Sequence, residues 1–152
     1  MNTRFFLRSF VVWLIVVIIL ERWGIAWDLF ARGFYYDKLL HFLGGLTAGL
    51  AGLLWLTAFA RGNEHHEIHL RYGTKSLFVF ALAFAFVIGI AWEILQYYWP
   101  WLRDFSDQTW QDTLGDIVFD TLGGLIAAGY ALLRSKEEML DRQLAKEAKN
   151  GS

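Results

Sequence analysis

Three aspartates spaced four residues apart lie in a segment that is otherwise almost entirely apolar. Asp112, Asp116 and Asp120 occur within the stretch DTLGDIVFDTLGGL. Four-residue steps along an α-helix drift by only about 40° each, so the three carboxylates form one stripe. Residues 114–133 supply the roughly 20 residues that a helix needs to cross a bilayer core. The pattern therefore predicts a transmembrane helix that carries carboxylates inside a membrane protein.

The composition of the chain favours the same class of protein. Hydrophobic residues make up 56% of the 152 residues, with 8 Trp and 13 Phe. We therefore predict an all-α polytopic membrane protein, a small bundle of four transmembrane helices. The lack of Cys excludes disulfides, thiolate metal sites and cysteine nucleophiles. A formal net charge of −1 gives no indication of nucleic-acid binding.

Four apolar tracts define the predicted spans, at about residues 8–28, 39–60, 76–99 and 114–133, and a polar tail covers 134–152. The first tract also has the basic start and apolar middle of a cleaved signal peptide. Its only small-x-small candidate, Gly24-Ile25-Ala26, follows a charged pair and precedes a Trp, so we favour a retained span. The tail has mixed charges and no wide apolar face, which predicts a solvated helix that frays.

The second and third spans each carry polar residues beside small ones. Asp37 and His41 are one helical turn apart at the start of the second span, and Glu93 and Gln96 lie near the end of the third. Small residues four apart allow helix backbones to approach closely in a membrane, and the second span contains Gly44, Gly45, Ala48, Gly49 and Gly52. We therefore expect the polar groups to face protein rather than lipid.

The distribution of Lys and Arg predicts that both termini are cytoplasmic. With the N-terminus inside, cytoplasmic segments hold ten Lys and Arg and the outer segments hold four. Connectivity then places the start of spans two and four, and the end of span three, at the extracytoplasmic side. The residues predicted to converge there in one polar pocket are Asp37, His41, Glu93, Gln96, Asp112, Asp116 and Asp120.

Two other readings of the polar residues stay open. The pocket residues could form hydrogen bonds that only fix helix register, with Arg103 folded over them. The histidines of the second loop, His65, His66 and His69, have a spacing that could hold a metal, but no acid or Cys framework surrounds them. We interpret these loop histidines as solvated.

The chain also resembles a known family. The motifs YDKLLHFLGG, WEILQ, RDFS and DTLGDIVFDTLGG, in order over about residues 36–130, are similar to those of VanZ-like and YjdF-like small membrane proteins. Asp120 stands where VanZ-like sequences usually have Asn, and Ser106 lies further from Asp116 than usual. The family name implies glycopeptide-antibiotic resistance in one member but no common activity. The resemblance implies that the functional polar residues are Asp37, Lys38, His41, Glu93, Gln96, Arg103, Asp116 and Asp120.

Three functions fit these residues. The first is an enzyme-like site that acts on a lipid-linked or envelope substrate, and the second is a non-enzymatic module that binds an ion, protons or a ligand. The third is a structural membrane component. No nucleophile motif, P-loop or zincin spacing decides between them. The candidate catalytic residues are Asp37, His41, Glu93, Asp116 and Asp120; the candidate binding residues are Lys38, Gln96, Arg103 and Asp112; the candidate ligands of a divalent cation are Asp116, Asp120, Glu93 and His41.

Overall fold

The protein is a bundle of helices. The computed structural model describes residues 3–32, 34–62, 68–99 and 109–150, and these ranges contain no strand. The helices are α1 (Thr3–Ala26), α2 (Leu29–Arg32), α3 (Phe34–Gly62), α4 (Ile68–Tyr98) and α5 (Trp110–Asn150). All except α2 are long and apolar enough to cross a membrane. The prediction of an all-α protein with four transmembrane helices is therefore confirmed.

The first helix ends at a tight turn. Asp28 adopts a left-handed backbone conformation with φ of 54°, which Asp tolerates better than most residues. The short helix α2 follows and turns Phe30 back into the bundle, where its ring packs edge-on against Tyr36 with centroids 5.2 Å apart. The Tyr36 hydroxyl donates a hydrogen bond to the carbonyl of Leu20. These contacts fasten the end of α1 to the start of α3.

Helices α3 and α5 run parallel and approach each other through glycines. A Cβ atom added to Gly45 would overlap the backbone of Asp120, and one added to Gly123 would overlap the backbone of Phe42. One turn further on, a Cβ on Gly49 would lie 2.8 Å from the Cβ of Ala127. The small residues of the second and fourth spans thus let the two backbones touch.

Helix α3 is the centre of the bundle. It packs against α1, α4 and α5, and α4 also packs against α5. In the described residues, no Cα atom of α1 comes within 8 Å of one in α4 or α5. At the end of the bundle away from Asp28, long side chains join α1 to α5: the Phe5 ring lies 5.4 Å from that of Tyr130 and 4.9 Å from the Arg134 guanidinium. In the described residues, a gap is left between the backbones of α1 and α4.

Large apolar side chains cover the outside of the bundle. On α1, Ile19 is 54% exposed and Trp23 is 56% exposed, as expected for a lipid-facing surface. Aromatic residues gather where the helices end beside Asp28, which is typical of a membrane interface. The exposed members of this belt include Trp23, Trp27, Tyr35, Tyr97, Tyr98, Trp99 and Trp110.

Helix α5 begins with a cap and does not stop where the apolar span ends. The Thr109 hydroxyl accepts a hydrogen bond from the backbone N–H of Asp112. An N-cap side chain commonly bonds in this way to a first-turn N–H group that has no partner within the helix. The helix then continues without interruption to Asn150, so the polar tail is a direct extension of the span.

Candidate functional site

Polar side chains from three helices meet inside the bundle. The start of α3, the end of α4 and the start of α5 lie at the same end, because each helix reverses direction relative to the one before it. The polar residues buried there are Lys38, His41, Glu93, Gln96, Asp116 and Asp120, with relative exposures of 2–7%. The side chains of Asp37 and Asp112 lie at the edge of this group and are 14% and 16% exposed.

The ammonium group of Lys38 lies among three carboxylates. Its Nζ atom is 2.5 Å from Asp112 Oδ1, 2.5 Å from Asp116 Oδ1 and 3.2 Å from Asp37 Oδ2. Each contact is a charge-assisted hydrogen bond, which is stronger than a neutral one. Lys38 therefore ties α3 to the first two turns of α5.

The two ring nitrogens of His41 have different surroundings. Nδ1 lies 3.1 Å from Asp120 Oδ2, within hydrogen-bonding distance. Nε2 faces one carboxylate oxygen from each of three helices: Asp37 Oδ1 at 3.7 Å, Glu93 Oε1 at 3.7 Å and Asp116 Oδ1 at 3.6 Å. These three separations are too long for hydrogen bonds. The acids surround Nε2 without bonding to it directly.

Glu93 contributes a buried oxygen that lacks a hydrogen-bond partner. Its Oε1 atom has none among the described residues, although the residue is only 7% exposed. A buried carboxylate oxygen without a hydrogen bond lowers the stability of the fold unless a proton or a cation compensates its charge.

Gly89, one turn before Glu93 on α4, leaves space for the side chain of Asp120. A Cβ atom at this position would lie 2.5 Å from Asp120 Oδ2.

Among the described residues, the site carries more acids than bases. Two bases, Lys38 and His41, lie beside five acids: Asp37, Glu93, Asp112, Asp116 and Asp120. Ionised groups in a membrane interior are costly and are normally paired. Bound protons or a bound cation would remove the imbalance.

The geometry around His41 is close to the dimensions of a metal centre. One ligand atom from each of Asp37, His41 and Asp116 can be chosen so that all three lie within 4.8 Å of one another. Two ligands held at about 2.0–2.2 Å from one cation are separated by roughly 3.0–3.5 Å, so small side-chain movements would suffice here. Imidazole nitrogen with carboxylate oxygens suits Zn²⁺, Mn²⁺ or Fe²⁺.

A cavity of about 280 Å³ lies beside this cluster. Asp37, His41 and Asp120 form its polar wall, together with Gln96 and Glu21. The remaining lining is apolar and comes from α1, α2, α3 and α4: Leu14, Val17, Ile18, Phe30, Leu40, Gly44, Ile88, Gly89 and Trp92. The volume is just below the roughly 300–1,000 Å³ that is typical of small-molecule sites.

Most of the residues selected from the sequence lie in or beside the cluster. Arg103, His65 and His66 lie outside the described residues, as does the side chain of His69. Among the lining residues that carry a polar group, Glu21 and Trp92 were not selected from the sequence. Glu21 was noted only as part of the charged pair before Gly24, and Trp92 was not distinguished from the other aromatic residues of its apolar tract.

The fold and the site define a class: a small polytopic membrane protein with a carboxylate and histidine cluster buried among its helices. The family described as "Predicted membrane protein (DUF2238)" matches residues 2–137. The chain belongs to this family. No curated protein and no solved structure matches the chain.

Proposed function

We propose that this protein is a membrane-embedded enzyme that uses a divalent cation to act on a lipid-linked substrate. The observation that carries the proposal is the arrangement of three carboxylate oxygens, from three helices, at 3.6–3.7 Å around His41 Nε2. The cation would bind between His41, Asp37, Asp116 and Glu93. Glu93 Oε1, which is buried and has no hydrogen-bond partner among the described residues, would there bind the cation as a ligand.

In this proposal Asp120 orients His41, whereas from the sequence Asp120 was a candidate ligand of the cation. A histidine that binds a metal through one nitrogen commonly donates a hydrogen bond from the other to a carboxylate, which fixes the tautomer and the ring orientation. The contact between His41 Nδ1 and Asp120 Oδ2 has this form. Asp120 would therefore orient His41, and Asp37 would take its place as a ligand.

The chemistry follows from the groups near the cation. A bound divalent cation polarises an oxygen of the substrate or lowers the pKa of a bound water so that hydroxide forms near neutral pH. Lys38 contacts Asp37 and Asp116, two of the proposed ligands, and its ammonium group would hold them in place. Carboxylates that are not bound to the cation could accept or donate a proton.

The position of the site in the cell is also proposed. The excess of Lys and Arg in the N-terminal segment, second loop and tail supports cytoplasmic termini in a plasma membrane. The cluster would then open toward the extracytoplasmic side, where lipid-linked envelope precursors occur. The resemblance to VanZ-like and YjdF-like proteins supports an envelope role and adds no specific activity.

Cation binding by the purified protein tests the proposal. Thermal unfolding in detergent is measured with EDTA and with Mn²⁺, Zn²⁺ or Mg²⁺, and a cation at 100 times its Kd should stabilise the folded state by about 2.7 kcal/mol. The shift should disappear in His41→Gln and Glu93→Gln, and should persist in Asp28→Asn, which alters an exposed acid at the same end of the bundle. Equal unfolding with EDTA and with every cation would refute the metal site and favour the module that binds protons.

A further inference from the structure

The cavity beside the cluster is arranged like a binding site for a membrane lipid. We infer that it holds one hydrocarbon chain of a lipid that enters sideways from the bilayer between α1 and α4, with an uncharged polar linkage at the head of the chain placed against Asp37 and His41. This inference rests on the proposed function, because it names the class of substrate that the site would receive.

The cavity is open toward lipid. Helices α1 and α4 both pack on α3, yet in the described part of the chain their Cα atoms stay more than 8 Å apart. The side chains that border the gap are partly accessible: Leu14 is 38% and Ile18 is 48% exposed on α1, and Ile88 is 46% exposed on α4. A lipid chain could therefore reach the cavity without passing through the aqueous phase.

The polarity of the cavity changes along the membrane normal in the direction that a lipid requires. Leu14 and Ile88 lie at the deep end, and Glu21, Asp37 and Gln96 lie nearer the helix ends with the aromatic belt. The seven-residue step from Leu14 to Glu21 spans about 10 Å of helix. An amphiphile whose polar end is at the interface and whose chain points toward the bilayer centre matches this gradient.

The volume limits the occupant to one chain. A cavity of about 280 Å³ corresponds to roughly nine water volumes of about 30 Å³ each. This space fits part of one hydrocarbon chain and is too small for two. The second chain of a diacyl lipid, if the substrate has one, would remain in the bilayer.

The negative charge of the cavity's polar wall favours an uncharged group at the polar end of the lipid chain. Glu21, Asp37 and Asp120 line the cavity, and no Lys or Arg among the described residues does so. Even with a divalent cation bound, the acids would outnumber the positive charges among the described residues of the cluster. A free fatty acid, which ends in a carboxylate, should therefore bind worse than a neutral glycerol ester with the same chain.

Photocrosslinking tests this inference. The full chain in nanodiscs is irradiated with a monoacylglycerol that carries a diazirine in its chain, and adducts are mapped by peptide mass spectrometry. We expect adducts concentrated at residues 14–18 and 88–92, competed by unlabelled monoacylglycerol. The fatty acid with the same diazirine chain should label these segments about tenfold less, equivalent to about 1.4 kcal/mol.

A matched pair of variants separates the cavity from the general lipid surface. Ile18→Trp places a bulky ring in the lining, and Ile19→Trp places the same ring on the neighbouring residue, which does not line the cavity. Labelling should fall about tenfold in Ile18→Trp and stay near the wild-type level in Ile19→Trp. Adducts spread evenly over the outer face of α1, equal loss in both variants, or equal labelling by the fatty acid would overturn the inference.

The two proposals can fail separately. Specific labelling without any cation-dependent stabilisation would uphold the lipid site and refute the metal centre. Cation-dependent stabilisation with unspecific labelling would uphold the metal centre and refute the lipid chain as its substrate.

Discussion

His41 on α3 and Asp120 on α5 face each other with Nδ1 3.1 Å from Oδ2. This contact joins the two helices that approach most closely through glycine, and it leaves Nε2 directed at the other acids. When Nδ1 donates to the carboxylate, Nε2 is the nitrogen with a free lone pair.

Replacing Asp120 by Asn should weaken cation binding without unfolding the protein. The Asn carbonyl can still accept the hydrogen bond from His41, but the neutral group makes the imidazole a poorer ligand. Loss of such a partner typically lowers metal affinity by about 10–100-fold. Titration of Mn²⁺ or Zn²⁺ by calorimetry, with Asp28→Asn as the control, measures the change. Unaltered affinity in Asp120→Asn would show that Asp120 serves only helix register.

Replacing Lys38 by Met should destabilise the folded protein strongly. The substitution removes the ammonium group and leaves Asp112 and Asp116 without their closest positive partner. Breaking a buried ion pair from one side costs about 3–5 kcal/mol. Chemical unfolding in mixed micelles measures the loss, and Lys136→Met on the exposed part of α5 should have little effect.

A second substitution tests the physical reason for this loss. In Lys38→Met combined with Asp116→Asn, one uncompensated carboxylate is removed, so part of the lost stability should return. Additive destabilisation in the double variant would contradict an ionic interaction between Lys38 and Asp116.

Replacing Gly45 by Ala should force α3 and α5 apart. The added Cβ would collide with the backbone of Asp120, which cannot move as a flexible side chain would. Overpacking of this kind costs about 1–3 kcal/mol. Gly129→Ala is the matched control, because a Cβ there meets nothing within 4 Å. The control should leave unfolding unchanged or raise stability by up to about 1 kcal/mol through helix propensity.

Reporter fusions should place both ends of the chain on one side of the membrane. Four spans return the chain to the side where it began. The distribution of Lys and Arg predicts that this side is the cytoplasm. A phosphatase and fluorescent-protein pair fused after Ser152 should report the cytoplasm, and the same pair inserted at Arg103 should report the opposite side. An extracytoplasmic signal from the Ser152 fusion would reverse the orientation.

Helix number and the meeting of the polar residues could be predicted because both follow from simple rules. Tract length and hydropathy determine the number of spans. Alternating direction brings the start of α3, the end of α4 and the start of α5 to one end. Asp37, Glu93 and Asp116 are therefore brought to one level by connectivity alone.

The partners within the cluster could not be predicted in the same way. Asp116 and Asp120, one turn apart on α5, were both selected from the sequence as ligands of one divalent cation. In the structure Asp116 contacts Lys38 and Asp120 contacts His41. Which acid meets which base depends on the axial register of α3 against α5, and a contact such as Gly45 against Asp120 sets that register. No helical periodicity within one span contains this information.

The cavity could not be predicted from the sequence either. Its lining combines Ile18 on α1 with Phe30 on α2 and Trp92 on α4. The position of Phe30 depends on the left-handed conformation at Asp28, a single backbone angle that the composition of the loop does not specify. The gap between α1 and α4 likewise arises from how both helices pack on α3.

Because α5 is uninterrupted, the orientation of its tail depends on the orientation of the same helix inside the membrane. The helix covers 41 residues, about 60 Å at 1.5 Å per residue, or about twice the thickness of the hydrocarbon core. Leu144, exposed near its far end, lies about 36 Å along the axis from Asp120. Because the helix is continuous, a rotation of α5 at the buried site is expected to change the orientation of Leu144 as well. A spin label at Leu144, in the aqueous phase, would thus report a rotation of the part of α5 that carries the buried carboxylates.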